Sequence, residues 1–304
     1  MRAIVYNPRA RADLDFADVA EPQPAADEAL IEVRAIGLNF GEIHWVDFAR
    51  QPGEIPGWDS AGVVLQAAAD GSGPPPGTRV VGFGPAAGWA QRRAVATQNL
   101  ATLPDRVDFE AAAAVPVAGV TALQALRALG PIVGRRVLIT GASGGVGRFA
   151  VQIAARAGAH VIAAVGSRAR GAGLTELGAD EVVVGLAEVD QPVFGVLDNV
   201  GGELLDEAFR LVGEDGSVQS IGMASGRPTT IDFEAHRRLG VHKRIEPFTV
   251  RLPLRDDLNH LLTLLERGDL DPQIGLRDSW DTIADAAEAL LGRRVAGKAV
   301  LTVS

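Results

Sequence analysis

Glycines at 141, 144 and 147, in the run Gly141-Ala-Ser-Gly-Gly-Val-Gly147, are the residues of this chain best suited to hold a phosphate. Lacking side chains, they let the backbone turn tightly and set helix-start amides against a pyrophosphate, where the helix dipole also favours negative charge. Ser143, Gly144, Gly145 and Val146 are the candidate contacts. The spacing is G-x-x-G-x-x-G rather than G-x-G-x-x-G, so the bare pattern also fits a plain glycine-rich turn. About 20 residues further on, an NAD site usually places an acid to bind the ribose 2′-OH. Here the chain reads Gly166-Ser-Arg-Ala-Arg170, with no acid. A hydroxyl and guanidinium groups suit a 2′-phosphate instead. Gly166, Ser167 and Arg168 are therefore expected to read NADPH, with Arg170 less direct; a solvated basic cluster is the alternative.

Elements of the right kind surround the turn. Arg136–Thr140 reads as a strand, Gly145–Ala157 as a helix with Val146, Phe149, Ile153 and Ala157 on one face, and His160–Val165 as the next strand. The unit has the length of one βαβ, about 30 residues, and this context is what the glycine motif requires. Strands over 194–198 and 217–221 flank a helix carrying Leu204, Leu205, Ala208 and Leu211, and helices are expected near 258–265 and 283–291. Before Pro104 the texture differs. Ile31, Val33 and Ala35 alternate with Glu32 and Arg34, and short strand-like runs at 61–65, 78–83 and 90–96 are separated by turns such as Asp70–Gly77. This is the period-2 pattern of half-buried strands, so a β-rich domain gives way to an α/β domain near residue 110.

Composition narrows the chemistry. The 304 residues contain no cysteine, which excludes disulfides, thiolate nucleophiles and sulfur-ligated metal sites. A formal charge of −9 offers no overall attraction to nucleic acid or anionic lipid. No secretory h-region or apolar run of spanning length is visible, so a cytoplasmic protein without a membrane partner is expected. Tyr6 is the single tyrosine and reads as part of the first strand. The basic run His236–Arg244 either extends a phosphate pocket, touches a phosphorylated substrate carrier, or is a solvated face.

Several ordered motifs, namely Gly37-Leu-Asn-Phe-Gly-Glu42, Pro56–Gly62, Gly77–Gly82, Ala113–Ala122, the glycine turn, Leu177–Asp180, Asp198–Gly202 and Gly297-Lys-Ala-Val-Leu301, resemble the zinc-independent quinone oxidoreductase branch of the medium-chain dehydrogenase/reductase superfamily. The resemblance covers nearly the whole chain. It implies an α/β fold in which a Rossmann doubly wound parallel sheet, 111–252, is inserted in a GroES-like β-rich domain, 1–110 plus 253–304, with the active site in the cleft between them. Zinc-dependent relatives carry Cys at position 39 and Gly-His-Glu at 57–59; this chain has Asn39 and Gly57-Trp58-Asp59, so no metal site is expected. The branch lines its nicotinamide cleft with N-x-x-D/E-x-Y, matched here by Asn39, Glu42 and His44. By resemblance Asn39 orients nicotinamide or substrate oxygen. His44 replaces the tyrosine and is either the proton donor or a bystander with water in that role. Thr121, Asn199, Val200, Gly222 and Met223 are implied cofactor contacts; Trp45, Trp58 and Phe248 are either cleft walls or core. Arg244–Leu252 is the candidate edge strand for a homodimer.

The combined expectation is an NADPH-dependent, zinc-free oxidoreductase reducing quinones or α,β-unsaturated carbonyl compounds by hydride transfer. Enoyl-thioester reduction, or a non-catalytic NADPH-binding sensor or regulatory protein, stand as alternatives.

Overall fold

The structure, a computed structural model, describes residues 1–44 and 51–304. The chain forms two compact units, one made of Met1–Val120 with Arg251–Ser304 and the other of Thr121–Val250.

The first unit is built on a seven-stranded sheet. The path runs β14 (Ile274–Ser279), β15 (Lys298–Thr302), β3 (Glu28–Leu38), β4 (Asp59–Gln66), β5 (Arg79–Phe83), β7 (Leu100–Thr102), with β6 (Arg92–Ala96) also on β3. A separate ribbon pairs β1 (Arg2–Tyr6) with β2 (Leu14–Asp18). β3 explains its own length. Ala29, Ile31 and Val33 face the core while Arg34 is exposed, as alternation requires; from Ala35 to Leu38 every residue is buried. That second stretch lies under the helix Phe109–Ala113, and a Cβ on Gly37 would stand 2.1 Å from the Ala113 carbonyl oxygen. Only glycine permits so close an approach. β15, from the end of the chain, pairs antiparallel with β3, Ala299 opposite Leu38.

The second unit is a six-stranded parallel sheet in the order β10 (Glu181–Val184), β9 (His160–Val165), β8 (Arg136–Thr140), β11 (Val193–Asp198), β12 (Val212–Ser220), β13 (Arg244–Pro247). Strand order reverses between β8 and β11, so ligands are expected at the carboxyl ends of these two strands. The buried helix Gly145–Arg156 packs through Phe149, Ala150 and Ala154. Leu138, Ile162, Val196, Val218 and Phe209 share one apolar cluster.

Two differences from the sequence reading have physical causes. The expected run Arg244–Leu252 is a strand for only four residues, because its partner β12 ends at Ser220 and leaves nothing beyond Pro247 to pair with. In the basic run, His236 is buried, its Nε2 2.9 Å from Asp206 Oδ1, and Lys243 Nζ donates to the Phe209 carbonyl at 2.7 Å near the end of helix Glu203–Arg210. Arg237, Arg238, His242 and Arg244 of the same run are exposed, as the solvated-face reading has it.

Candidate functional site

The expected site residues fall into two clusters, one in each unit. In the first, Asn39 sits at the end of β3 and precedes the short helix Phe40–His44. Glu42 reaches back to accept from the Asn39 backbone N–H at 2.7 Å, the glutamate half of a capping box. The other Glu42 oxygen accepts from Trp58 N–H at 2.9 Å, pinning the helix to the start of β4. Asn39 Nδ2 donates to Glu42 Oε1 at 3.2 Å and to Asp59 Oδ2 at 2.9 Å, while its Oδ1 accepts from Lys298 Nζ at 2.7 Å. The ammonium also donates to the Leu38 carbonyl at 3.0 Å and to Asp59 Oδ2 at 3.3 Å. Asp59 Oδ1 takes the Val117 N–H at 3.1 Å.

This hub is dry. Asp59 is fully buried, and Lys298 is 2% exposed. Burial, reinforced by the nearby Asp59 carboxylate, pushes Glu42 up to about 8. Burial also raises Asp59, although Lys298, Asn39 and the Val117 amide all favour its charged form. A second buried cation, Arg93, holds the preceding turn through the carbonyls of Gly57 (3.3 Å), Trp58 (2.8 Å) and Ala86 (2.7 Å) and through Ser60 Oγ (2.9 Å). Lys298 stands in the closing Gly297–Leu301 motif, which by itself assigns it no role, and Arg93 lies in no motif; the pairing of β15 and β6 with β3 brings both here.

His44 ends the helix half-buried, its ring stacked on Phe40 with centroids 4.9 Å apart. Trp58 is likewise half-buried. Trp45 lies outside the described residues, as do residues 46–50 of the adjoining segment.

The second cluster is the glycine turn. Gly141 has φ +59°, a left-handed conformation that favours glycine, and a Cβ on Gly147 would stand 2.5 Å from Ala142 Cα. These two glycines shape the turn. Gly144 is the N-cap of helix Gly145–Arg156, and the first N–H groups of a helix have no intrahelical acceptor. A Cβ at Gly166, at the end of β9, would meet nothing within 4 Å. The site therefore offers open backbone where a dinucleotide needs it. Ser167 and Arg168 are exposed, and a cavity of about 430 Å³ opens beside Arg168, lined also by Gly171, Thr175, Val182 and Glu188. Ser143 is buried; its hydroxyl accepts from Arg170 Nε at 2.9 Å.

At the sheet's switch point, Thr140 Oγ1 donates to Asp198 Oδ1 at 2.6 Å and accepts from Asn199 N–H at 3.0 Å, while Asn199 Nδ2 donates to the Thr140 carbonyl at 2.8 Å. Asp198, raised by burial, also takes the Gly201 N–H at 2.8 Å. The Asn199–Val200 turn is thus fixed by β8. Gly222 lies so near that a Cβ there would be 2.8 Å from the Asn199 carbonyl oxygen, and Met223 follows it, exposed. Thr121 is buried at the start of this unit, and Phe248 continues from β13 with its N–H on the Ser220 carbonyl at 2.9 Å.

Among the described residues, one group of potential metal ligands stands together, Glu214, Asp215 and His242, with ligand atoms within 4.8 Å of one another. All three are exposed, and His242 Nδ1 lies 3.1 Å from Asp215 Oδ1. Glu214 Oε2 accepts from the His242 backbone N–H at 3.2 Å. No helix among the described residues is long and apolar enough to cross a membrane.

Residues 25–107 match the family model of the alcohol dehydrogenase GroES-like domain, and residues 145–267 that of the zinc-binding dehydrogenases. The chain is 30% identical to the 2-methylene-furan-3-one reductase of Solanum lycopersicum, covering 93% of this chain and 74% of that protein. This chain belongs to the medium-chain dehydrogenase/reductase superfamily. The structure of the Coxiella burnetii quinone oxidoreductase superposes with TM-score 0.86 at 26% identity, covering 100% of this chain and 99% of that one. The Escherichia coli quinone oxidoreductase complexed with NADPH shares the fold at TM-score 0.87 and 22% identity, covering 99% of this chain and 100% of that one. The spectinabilin polyketide synthase system protein NorB of Streptomyces orinoci is 35% identical over 92% of this chain but 13% of its own length. Against that and two further polyketide synthases, the chain spans between 5% and 13% of the curated relative. The fold of this chain is accordingly α/β, with a Rossmann-type parallel sheet and a GroES-like domain.

Proposed function

We propose that this medium-chain reductase is an NADPH-dependent, zinc-free oxidoreductase that delivers hydride to a quinone or to the conjugated double bond of an α,β-unsaturated carbonyl compound. The observation that carries the reading is a glycine turn followed, at the end of β9, by the exposed Ser167 and Arg168 in a run, 166–170, that contains no acid. The amides of Gly144, Gly145 and Val146 receive the pyrophosphate, Ser167 and Arg168 the 2′-phosphate beside Gly166, and Ser143 shapes the turn from beneath. The NADPH-bound neighbour supports the same cofactor. Thr121, Asn199, Val200, Gly222 and Met223 hold the nicotinamide half.

When bound, the cofactor supplies the hydride; the protein orients it and stabilises charge on the substrate oxygen. His44 supplies the proton, and Asn39, with its amide clamped by three partners, orients the reacting groups through the remaining lone pair of Oδ1. Where zinc-dependent relatives place metal ligands, this chain has an amide, a carboxylate and a buried ammonium 2.7 Å and 3.3 Å from them. A protonated amine has no lone pair to give and repels a second cation, so this donor set does not suit zinc. Lacking such a Lewis acid, the enzyme needs an acceptor that delocalises incoming charge unaided, as a conjugated one does. The edge strand β13 is the element proposed to pair in a homodimer, in a cytoplasmic protein.

NADPH oxidation against a panel of quinones, enones and enoyl thioesters tests the reading, and turnover with a conjugated acceptor and no added metal is expected. The polyketide synthase relatives favour a second reading, enoyl-thioester reduction, which a clear preference for the thioesters would establish. Tight NADPH binding without turnover across the panel would instead mark a sensor.

A further inference from the structure

We propose that Arg148 is a positioning residue that makes this site selective for the 2′-phosphate, by bracing the glycine turn against the loop that reads that phosphate. The inference rests on the NADPH reading above. Arg148 lies in the first turn of helix Gly145–Arg156 and is 8% exposed, so its guanidinium is enclosed by protein. Its Nη2 donates to the Ala172 carbonyl at 2.9 Å, and its Nε reaches the Ser143 carbonyl at 3.4 Å. One side chain thus ties the turn at 143 to the segment just after the single-turn helix Arg168–Gly171. From the opposite direction, Arg170 Nε donates to Ser143 Oγ at 2.9 Å. Ser143 is held on both its carbonyl and its hydroxyl, and the loop bearing Arg168 is tied down on both sides of Gly171.

The geometry of the ligand gives the brace its purpose. In an adenosine 2′-phosphate dinucleotide, the 5′-pyrophosphate and the 2′-phosphate hang from one ribose, so their separation varies little. A protein that binds both must present the helix-start amides and Arg168 at a matching spacing. If the two loops move independently, ordering them costs part of the gain from the second phosphate; a fixed strut removes that cost before binding. A dinucleotide without the 2′-phosphate needs only the glycine turn and gains much less from the strut. Arginine suits the task because its planar fork reaches two carbonyls on different segments at once, which an ammonium on a flexible stem does less well. Nothing in the sequence distinguishes Arg148 from a solvent-facing helix residue; its role is visible only in what it touches.

The test is calorimetric titration of wild-type protein, Arg148→Gln and Arg148→Lys with NADPH, NADH, 2′,5′-ADP and 5′-AMP, with melting temperatures as the check on folding. R148Q is expected to lose affinity for NADPH and 2′,5′-ADP about tenfold more than for NADH and 5′-AMP, and R148K to recover part of that preference. Arg148→Lys keeps the charge and serves as the variant to measure should R148Q not fold. A parallel loss for all four ligands, or an unchanged preference, overturns the brace. Wild-type protein that binds NADPH and NADH equally overturns the cofactor reading itself, and the selectivity role with it.

Discussion

The two clusters solve opposite problems with opposite materials. The hub of Asn39, Glu42, Asp59 and Lys298 is made of side chains, drawn from the end of β3, the helix Phe40–His44, β4 and β15, buried and hydrogen-bonded to one another. The glycine turn is made of backbone, drawn from one strand–helix junction, and its distinguishing feature is what it leaves open at Gly144 and Gly166. Rigidity in the hub comes from charge pairing in a low-dielectric interior, where each member depends on the others. In the turn it comes from steric necessity at Gly141 and Gly147. The hub should therefore fail abruptly when one member is removed, whereas the turn should lose ligand before it loses fold.

The largest effect is expected from Lys298→Met, which keeps the volume of the stem but leaves Asp59 buried without its counter-charge. Breaking a buried pair this way costs about 3–5 kcal/mol, so chemical denaturation should show a severely destabilised first unit; a loss as small as that of a surface substitution would mean that the hub is not the keystone described. His44→Phe comes next. If His44 gives the proton, steady-state turnover should fall about a hundredfold, while NADPH affinity stays level. An unchanged rate would assign the proton to water. Gly147→Ala drives a methyl group to within 2.5 Å of Ala142 backbone; the resulting strain is worth about 1–3 kcal/mol. Fluorescence titration should report it as an NADPH Kd raised about tenfold or more.

The smallest effect concerns pH and belongs to the hub alone. Glu42 has its pKa raised by burial to about 8, so between the unfolded carboxylate value and about 8 the folded state holds more protons than the unfolded state. Stability must then fall as pH rises through that window, and Asp59, also raised, acts in the same direction. Thermal melts from pH 5 to pH 8.5 should show the decline, shallower in Glu42→Gln; stability that rises over the same range would refute the assignment.

The same contrast decides what could be read in advance. β8, the glycine turn, its helix and β9 lie within one continuous stretch, and each announces itself by alternation, helical period or glycine spacing. The helix Ile283–Leu291 was legible for the same reason. Strands β2, β7, β10 and β14 carry three to six residues each, without a complete apolar alternation, and gain definition only from their partners. The hub was half legible: the sequence pointed to Asn39 and Glu42, but the bond from Lys298 to Asn39 spans 259 positions and depends on the register of β15 against β3. Arg93 and Arg148 are not legible in the sequence, where a buried arginine looks no different from a solvated one.

The central claim is that the open cluster reads a 2′-phosphate. Calorimetric titration of the wild-type protein with NADPH and with NADH tests it most directly. The account predicts NADPH bound at least about tenfold more tightly, the worth of one charge-assisted contact from Arg168. Equal affinities, or tighter NADH, would contradict it.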